Sequence, residues 1–298
     1  MMCQYEIIEV KKKFNIKKII LIIFLVIVII TLSVFGTIKL IKHNESIKQQ
    51  KEIMEEEKIK NEEIEEEKIK EQEKNKNANP LTEEQIESIE NIYSKENGKR
   101  VFLTFDDGPT QSVTPFILDL LKQENIKATF FVLGNRVKAN PELIKREFEE
   151  GHYIANHGYT HKYSQIYQNS QTVLDEYNYT ENCIQEALEN PNYHSRIFRF
   201  PGGSVGGYYH SIKKQTKSFL KEQGIVYLDW NALSKDAEGA KTKEDLLQNV
   251  IDTTGNKQSV VLLMHDAADK ILTYEILPDV IKYYRDNGYE FKNIYDIL

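Results

Sequence analysis

The sequence predicts an α/β domain built on about seven parallel strands that close, or nearly close, into a barrel. Two observations support this prediction, and a third concerns the N-terminal region. Seven short apolar runs alternate with segments of helical periodicity over the last two-thirds of the chain, which calls for a parallel sheet with helical crossovers. Reactive side chains follow these runs at their C-terminal ends, where functional residues gather in a β/α barrel. Near the N-terminus, an apolar run followed by a charged run predicts a transmembrane helix and a stalk.

The composition excludes one large class of partner. The 298 residues carry a formal net charge of -7, and 40% of them are apolar. That apolar fraction is enough to build a core, but binding to nucleic acid needs a clustered basic surface. We therefore expect no nucleic-acid partner, and the sequence leaves the oligomeric state open.

An uncharged run at 19–38 has the length of a membrane-spanning helix, since about twenty residues cross the hydrocarbon core. A cleaved signal peptide is the competing interpretation. Its apolar region would be shorter and would end in a small-residue cleavage site, which the residues from Lys39 onward do not supply. Five lysines lie just before the run and only Lys39 and Lys42 lie just after it, so the positive-inside rule places the N-terminus in the cytoplasm. We predict a cytoplasmic tail at 1–18, a single span at 19–38 in the cell membrane, and an extracytoplasmic remainder.

Residues 39–79 are predicted to form a charged stalk or linker. Glu and Lys dominate the segment, and the hexapeptide EEEKIK recurs with a period of ten residues. Its isoleucines do not maintain a heptad seam, so a single solvated helix is favoured over a coiled coil. Glu–Lys pairs four residues apart would support such a helix. A disordered charged linker is the alternative.

The two cysteines, Cys3 and Cys183, fall on opposite sides of the membrane in this topology. They cannot pair within one chain. Cys3 is interpreted as an inert thiol, with lipid attachment as the alternative. A domain of about 200 residues buries enough apolar surface to fold without a disulfide.

The globular domain is predicted at 80–298, with its core at about 99–298. Thr82 and Gln85 form a capping-box pattern, which predicts a short helix at the start. Two residues followed by proline, Thr114 and Asn140, mark further helix starts. The predicted strands are VFLTF from 101, ATFFVL from 128, HYIAN from 152, RIFRF from 196, IVYLD from 225, SVVLLM from 259 and a weaker run near 289.

Five of these strands are followed by residues that could carry out chemistry. Each group alone has a structural explanation, because Asp-Asp-Gly-Pro is a turn sequence and a His-x3-His pair is usually on the surface. Together they predict one site, because the C-terminal ends of parallel strands meet on one side of a barrel. The groups are Asp106 and Asp107, His157 and His161, Arg199 with the following Pro-Gly-Gly turn, Asp229 and Trp230, and His265.

At these residues the sequence resembles the polysaccharide deacetylase family, carbohydrate esterase family 4. The resemblance covers roughly residues 100 to 298 and implies a distorted (β/α) barrel of about seven strands. It also implies a divalent metal, usually zinc with Co2+ or another ion as alternatives, bound by Asp107, His157 and His161. All five family motifs occur in order: TFDDG at 104–108, HGYTH at 157–161, RFPGG at 199–203, DW at 229–230 and LMH at 263–265.

The resemblance also implies catalytic roles. Asp106 would be the general base, oriented by Arg199. His265 would be the general acid, and Asp229 would keep it cationic, since an adjacent carboxylate raises an imidazole pKa. The implied substrate contacts are the backbone N–H of Gly202 at the oxyanion and the side chains of Trp230 and Leu263 around the acetyl methyl.

Two positions depart from the family pattern. Gly158 stands where the His motif normally has Ser or Thr, whose hydroxyl steadies the loop, so we expect this loop to be held differently. Gly202 stands where an aromatic residue often follows the proline. The glycine keeps the backbone donor but removes a ring that would face the substrate.

The resemblance and the predicted topology together imply a metal-dependent hydrolase that removes N-acetyl groups from N-acetylglucosamine in a cell-envelope polysaccharide. Peptidoglycan is the nearest such polymer outside the membrane. The alternatives are a chitooligosaccharide or exopolysaccharide deacetylase, an O-acetyl xylan esterase, and a non-catalytic glycan-binding envelope protein. Intact acid, base and metal ligands speak against the last of these, because a binding module needs none of them.

Overall fold

The computed structural model describes residues 16–75 and 77–298. The chain divides into an N-terminal unit that ends at Lys70 and a C-terminal unit from Glu71 to Leu298. Cys3 and most of the predicted cytoplasmic tail lie outside the described residues.

The described part of the N-terminal unit is a single helix, α1 (Ile16–Asn75), whose last five residues belong to the C-terminal unit. Its apolar part is long and hydrophobic enough to cross a membrane, with a mean hydropathy of 3.0 over the most apolar window and none of that window buried in protein. A helix that is apolar all round requires an apolar environment, so the segment fits a membrane span or a signal segment. The predicted stalk is helical through Asn75, and exposed ion pairs four residues apart, such as Lys48 with Glu52 at 3.7 Å, lie along it.

The C-terminal unit is built on a curled parallel sheet. The strands are β1 (Arg100–Asp106), β2 (Thr129–Val132), β3 (Tyr153–Asn156), β4 (Ile197–Phe198), β5 (Val226–Tyr227), β6 (Ala232–Leu233), β7 (Ser259–His265) and β8 (Glu290–Lys292). Seven of them follow the order β5-β4-β3-β2-β1-β7-β6, and within the described residues no pairing joins β5 to β6, so these seven form a curled half-barrel. On one side of β1, β8 pairs with its first half and β2 pairs with its second half.

The predicted distorted barrel of about seven parallel strands is therefore confirmed. Each predicted apolar run contains a strand, and β6 is the strand that the sequence did not predict. Helix α2 (Glu83–Glu90) precedes β1. The helices between the strands are α3 (Thr114–Gln123), α4 (Gly134–Ala139), α5 (Pro141–Glu149), α6 (Tyr163–Ile166), α7 (Ser170–Leu188), α8 (His210–Glu222), α9 (Lys243–Thr254) and α10 (Ile271–Asp286).

Two of the three predicted helix starts are found as expected. Thr82 and Gln85 form the predicted capping box of α2, and α5 begins at the proline after Asn140. The third differs by one residue, because α3 begins at Thr114 itself and Val113 occupies the N-cap. The Thr114 hydroxyl instead accepts the N–H of Thr110 and donates to Asp266 at 2.6 Å.

Alternation along β1 divides the core into two layers and orients the end of the strand. Val101, Leu103 and Phe105 pack in the cluster that includes the crossover helices. Phe102 packs on the opposite face, with side chains from the neighbouring strands. Because side chains of a strand alternate between faces, Asp106 at the end of β1 lies on the face of Phe102, inside the half-barrel.

Candidate active site

The C-terminal ends of the strands surround one cavity of about 360 Å³. The register of β1 and β7 pairs Asp106 with His265, so these two side chains enter the cavity from neighbouring strands. Arg199 and Asp229 lie behind the lining. The other eight predicted site residues line it: Asp106, Asp107, His157, His161, Gly202, Trp230, Leu263 and His265.

Asp107, His157 and His161 form a group that can hold a metal ion. One ligand atom from each lies within 4.8 Å of the others. The Asp107 Oδ1 atom is 3.6 Å from Nε2 of His157 and 3.4 Å from Nε2 of His161. This oxygen is buried and accepts no hydrogen bond from the described residues. Two imidazoles and one carboxylate are the ligand set of an open catalytic site, which leaves positions free for water and substrate.

His157 is held in the form that a metal ligand requires. Its Nδ1 lies 2.8 Å from the carbonyl oxygen of Arg199. A carbonyl can only accept, so Nδ1 carries the proton and the lone pair of Nε2 faces Asp107 and His161. Burial lowers the pKa of His157 to about 3, against the opposing effect of the Asp107 carboxylate. The imidazole therefore stays neutral, as ligation requires.

The loop between the two histidines is held by Glu176 of α7. One carboxylate oxygen accepts the backbone N–H groups of Tyr159 and Thr160 at 2.6 and 2.7 Å, and the other accepts the Thr160 hydroxyl at 2.7 Å. The backbone N–H of Gly158 donates to Asn156 at 2.9 Å. A carboxylate from a helix thus supplies the contacts that hold the loop containing Gly158.

Asp106 is buried at the end of β1 and forms an ion pair with Arg199. The guanidinium Nη1 donates to Asp106 at 2.7 Å and to Thr104 of the same strand at 2.8 Å. The Arg199 Nε donates to the carbonyl of Leu228, and the guanidinium carbon lies 3.8 Å from the ring centre of Phe131. Burial raises the pKa of Asp106, although Arg199 and His265 oppose this rise. Arg199 is fixed on several sides and orients the carboxylate.

The expected pairing of Asp229 with His265 is wrong, because the carboxylate beside His265 belongs to Asp236. Asp236 accepts from Nδ1 of His265 at 2.8 Å and from its backbone N–H at 2.8 Å. Burial alone would lower the pKa of His265, but the hydrogen bond and charge of Asp236, with the charges of Asp106 and Asp107, raise it to about 9. The imidazole is therefore cationic at neutral pH, with Nε2 free to donate.

Asp229 instead stabilises the loop of the third motif. Its carboxylate accepts the backbone N–H of Ser204 at 3.0 Å and the Ser204 hydroxyl at 2.5 Å. On the other side of the loop, Lys213 donates to the carbonyl of Gly203 at 2.7 Å. Gly202 has φ +72°, and its N–H donates no hydrogen bond to the described residues. That donor remains available to a ligand in the cavity.

Sequence reasoning did not identify Asp236 or Glu176. Asp236 follows β6, a strand of two residues that has too few side chains to show a pattern. The sequence did contain one signal for Asp236, because it is a second carboxylate near a strand end, seven residues after Asp229. Glu176 lies inside α7, where an acidic residue is ordinary, and nothing in the local sequence distinguishes it.

Comparisons with known proteins find one family and several similar sequences. A family profile described as polysaccharide deacetylase matches residues 93–225. A peptidoglycan-N-acetylglucosamine deacetylase of Bacillus cereus is 34% identical over 230 residues, covering 74% of this chain and 80% of that protein. A Listeria monocytogenes protein of the same description is 33% identical over 210 residues, and the match covers 69% of this chain and 40% of the relative.

Two solved structures are similar to this chain in both fold and sequence. An esterase of carbohydrate esterase family 4 from Streptococcus mutans superposes with a TM-score of 0.62 and 31% identity, covering 72% of this chain and 91% of that one. The catalytic domain of a peptidoglycan N-acetylglucosamine deacetylase from Eubacterium rectale superposes with a TM-score of 0.59 and 32% identity, covering 66% of this chain and 88% of that one.

Proposed function

The chain belongs to the polysaccharide deacetylase family, and on that basis we propose that it hydrolyses the acetamide of N-acetylglucosamine residues in peptidoglycan. The observation that carries the proposal is the grouping of Asp107, His157 and His161 in a cavity that Asp106 and His265 also line. Hydrolysis of an amide needs a base for water, a site for the oxyanion and an acid for the amine. The cavity contains a candidate for each.

The resident ion is proposed to be zinc, because two imidazole nitrogens and one carboxylate oxygen suit it. Bound by these residues, a divalent ion would polarise the acetamide carbonyl and make a water molecule more acidic. His157 contributes by presenting Nε2 as a neutral ligand.

Asp106 is the proposed general base. It accepts a proton from water as the water oxygen bonds to the acetyl carbon, and Arg199 holds its carboxylate in place. The N–H of Gly202 donates to the oxyanion that develops. Trp230 and Leu263, which line the cavity, provide apolar contacts for the acetyl methyl.

His265 is the proposed general acid. Its Nδ1 is bound to Asp236, so Nε2 gives the proton to the sugar nitrogen as the carbon–nitrogen bond breaks. Acetate and a free amine are the products. With a pKa raised to about 9 by Asp236 and the other carboxylates, against the effect of burial, the imidazole holds this proton at neutral pH.

The proposed location is the outer face of the cell membrane. Residues 19–38 of α1 would anchor the chain, 39–79 would space the catalytic domain at 80–298 from the membrane, and 1–18 would lie in the cytoplasm. Peptidoglycan would then be within reach. Protease added to intact cells or protoplasts should remove the catalytic domain, and full protection would contradict this orientation.

Release of acetate tests the proposed reaction. The full chain, purified in detergent and supplied with zinc, should release acetate from peptidoglycan or chitooligomers. Release from acetylated xylan alone would support the esterase alternative, and metal binding without any release would support a glycan-binding protein. The variant Asp106→Asn should bind the metal but lose turnover. Wild-type rates in that variant would contradict the proposed base.

A further inference from the structure

We propose that a row of tyrosine rings beside the cavity binds the sugar residues that continue the glycan chain beyond the reacting residue. The row consists of Tyr163, Tyr209 and Tyr208 and is called the tyrosine row below. This inference rests on the proposed function for the identity of its ligand, but it concerns residues outside the five family motifs.

The tyrosine row leads from the candidate metal site to solvent. The ring centre of Tyr163 lies 5.5 Å from that of His161, and Tyr163 lines the cavity. The ring of Tyr209 lies 6.5 Å from Tyr163, and Tyr208 lies 5.0 Å from Tyr209. Exposure is 41% at Tyr163 and 94% at Tyr208. A chain that leaves the cavity on this side would pass over these rings.

The inner part of the tyrosine row is fixed from below. The buried Tyr167 lies 5.9 Å from Tyr163 and 5.4 Å from Tyr209, and its hydroxyl donates to the carbonyl of Pro201 at 2.7 Å. The ammonium of Lys213 lies 4.9 Å from the ring centre of Tyr167. These contacts hold the two inner rings, so little conformational entropy is lost when a ligand packs on them.

Tyr163 also accounts for the glycine at position 202. A Cβ atom on residue 202 would stand 2.5 Å from the Tyr163 hydroxyl oxygen. An aromatic side chain at 202 and Tyr163 in its present position therefore exclude each other. Tyr163, the first residue of α6, supplies a ring in place of the one that is missing after the proline, and the tyrosine row continues into Tyr209 and Tyr208.

The chemistry of the tyrosine row suits a sugar polymer. A pyranose ring presents carbon–hydrogen bonds on its faces and hydroxyl groups at its edges. Tyrosine matches both, because it has a large rigid face and a hydroxyl that exchanges hydrogen bonds. Exposed aromatic surface that continues a binding pocket is typical of a ligand groove. Because the tyrosine row is continuous with the cavity, the glycan chain proposed as the substrate is favoured over an unrelated partner.

Oligomer length provides the test. We compare the dimer and pentamer of N-acetylglucosamine on the full chain in detergent with zinc. Tyr208→Ala should raise KM for the pentamer roughly threefold to tenfold, the contribution of one aromatic contact, with little change in kcat. The dimer is too short to reach Tyr208 and should be unaffected. Tyr208→Phe keeps the ring but loses the hydroxyl, so its KM for the pentamer should lie between those of wild type and Tyr208→Ala.

Calorimetric binding of the pentamer to chelator-treated protein provides a readout without turnover, and Tyr208→Ala should raise Kd by a similar factor. Phe116→Ala removes an aromatic ring that is 45% exposed on α3 and does not line the cavity, and it serves as the control. Equal pentamer affinity in wild type and Tyr208→Ala, no pentamer binding to the wild type, or an equal loss in Phe116→Ala would overturn the inference. If Tyr208→Ala weakens pentamer binding but the wild type releases no acetate from any substrate, the inference about the tyrosine row stands and the proposed reaction is wrong.

Discussion

Replacing Glu176 by alanine should weaken metal binding without any change to a ligand. The Glu176 carboxylate accepts the N–H groups of Tyr159 and Thr160 and the Thr160 hydroxyl, all at 2.6 to 2.7 Å. These residues lie between His157 and His161. Without the carboxylate, the loop loses the acceptors that fix its shape, and the two imidazoles lose their common orientation.

The expected magnitude follows from these contacts. A hydrogen bond to a charged group contributes about 1.5–3 kcal/mol, but Tyr159 and Thr160 are only partly buried, so water replaces part of the loss. We expect the net effect on the metal to equal about one such bond, which is roughly tenfold to hundredfold in the dissociation constant. Activity at saturating metal should recover most of its wild-type value.

Competition with a chromogenic chelator measures the dissociation constant on the purified chain. Glu176→Gln keeps an acceptor for the two N–H groups and should lie between wild type and alanine. Asp175→Ala removes the neighbouring acid, which is exposed, and serves as the control. A dissociation constant in Glu176→Ala within about twofold of wild type, which is near 0.4 kcal/mol, would refute the reasoning.

Two further predictions concern the acid and the third-motif loop. The carboxylate of Asp236 opposes the effect of burial on the His265 pKa, which is about 9, so Asp236→Asn should lower that pKa. Because the acid must be protonated, the alkaline limb of the kcat/KM profile should then move to lower pH. An unmoved limb would exclude His265 as the acid. Gly202→Ala should lower kcat/KM by displacing Tyr163. Gly224 has the same φ of +72° but nothing within 4 Å of an added Cβ, so Gly224→Ala should only reduce Tm. Equal effects of the two variants on kcat/KM would contradict a role for the contact between position 202 and Tyr163.

The sequence predicted the fold because long apolar runs mark the central strands. Asp106, Asp107 and His265 were found for the same reason, since each follows or ends a run that forms a buried strand. The principle that reactive residues follow parallel strands therefore located the cavity and its lining residues Asp106, Asp107, His157, His161 and His265.

The same rule failed where strands are short. Asp229 ends the apolar run IVYLD, but β5 has only two residues and ends at Tyr227, so the Asp229 side chain reaches Ser204 instead of His265. Asp236 follows β6, which is equally short. With two residues, neither alternation nor length can indicate where a strand ends or which way the next side chain points.

The residues that support the ligands could not be predicted for a different reason. Glu176 reaches a loop that precedes it by sixteen and seventeen residues, and Tyr209 meets Tyr163 across forty-six positions. Such contacts depend on how helices pack on the sheet. No local period, cap or turn in the sequence encodes them.

Anomalous diffraction from crystals grown with zinc is the most direct test of the proposed site. One zinc peak is expected in the cavity, about 2.0–2.2 Å from Asp107 Oδ1, His157 Nε2 and His161 Nε2, with Asp106 and His265 beside it but not bound to it. A peak that lacks either histidine as a ligand, or zinc bound only elsewhere on the protein, would contradict the account.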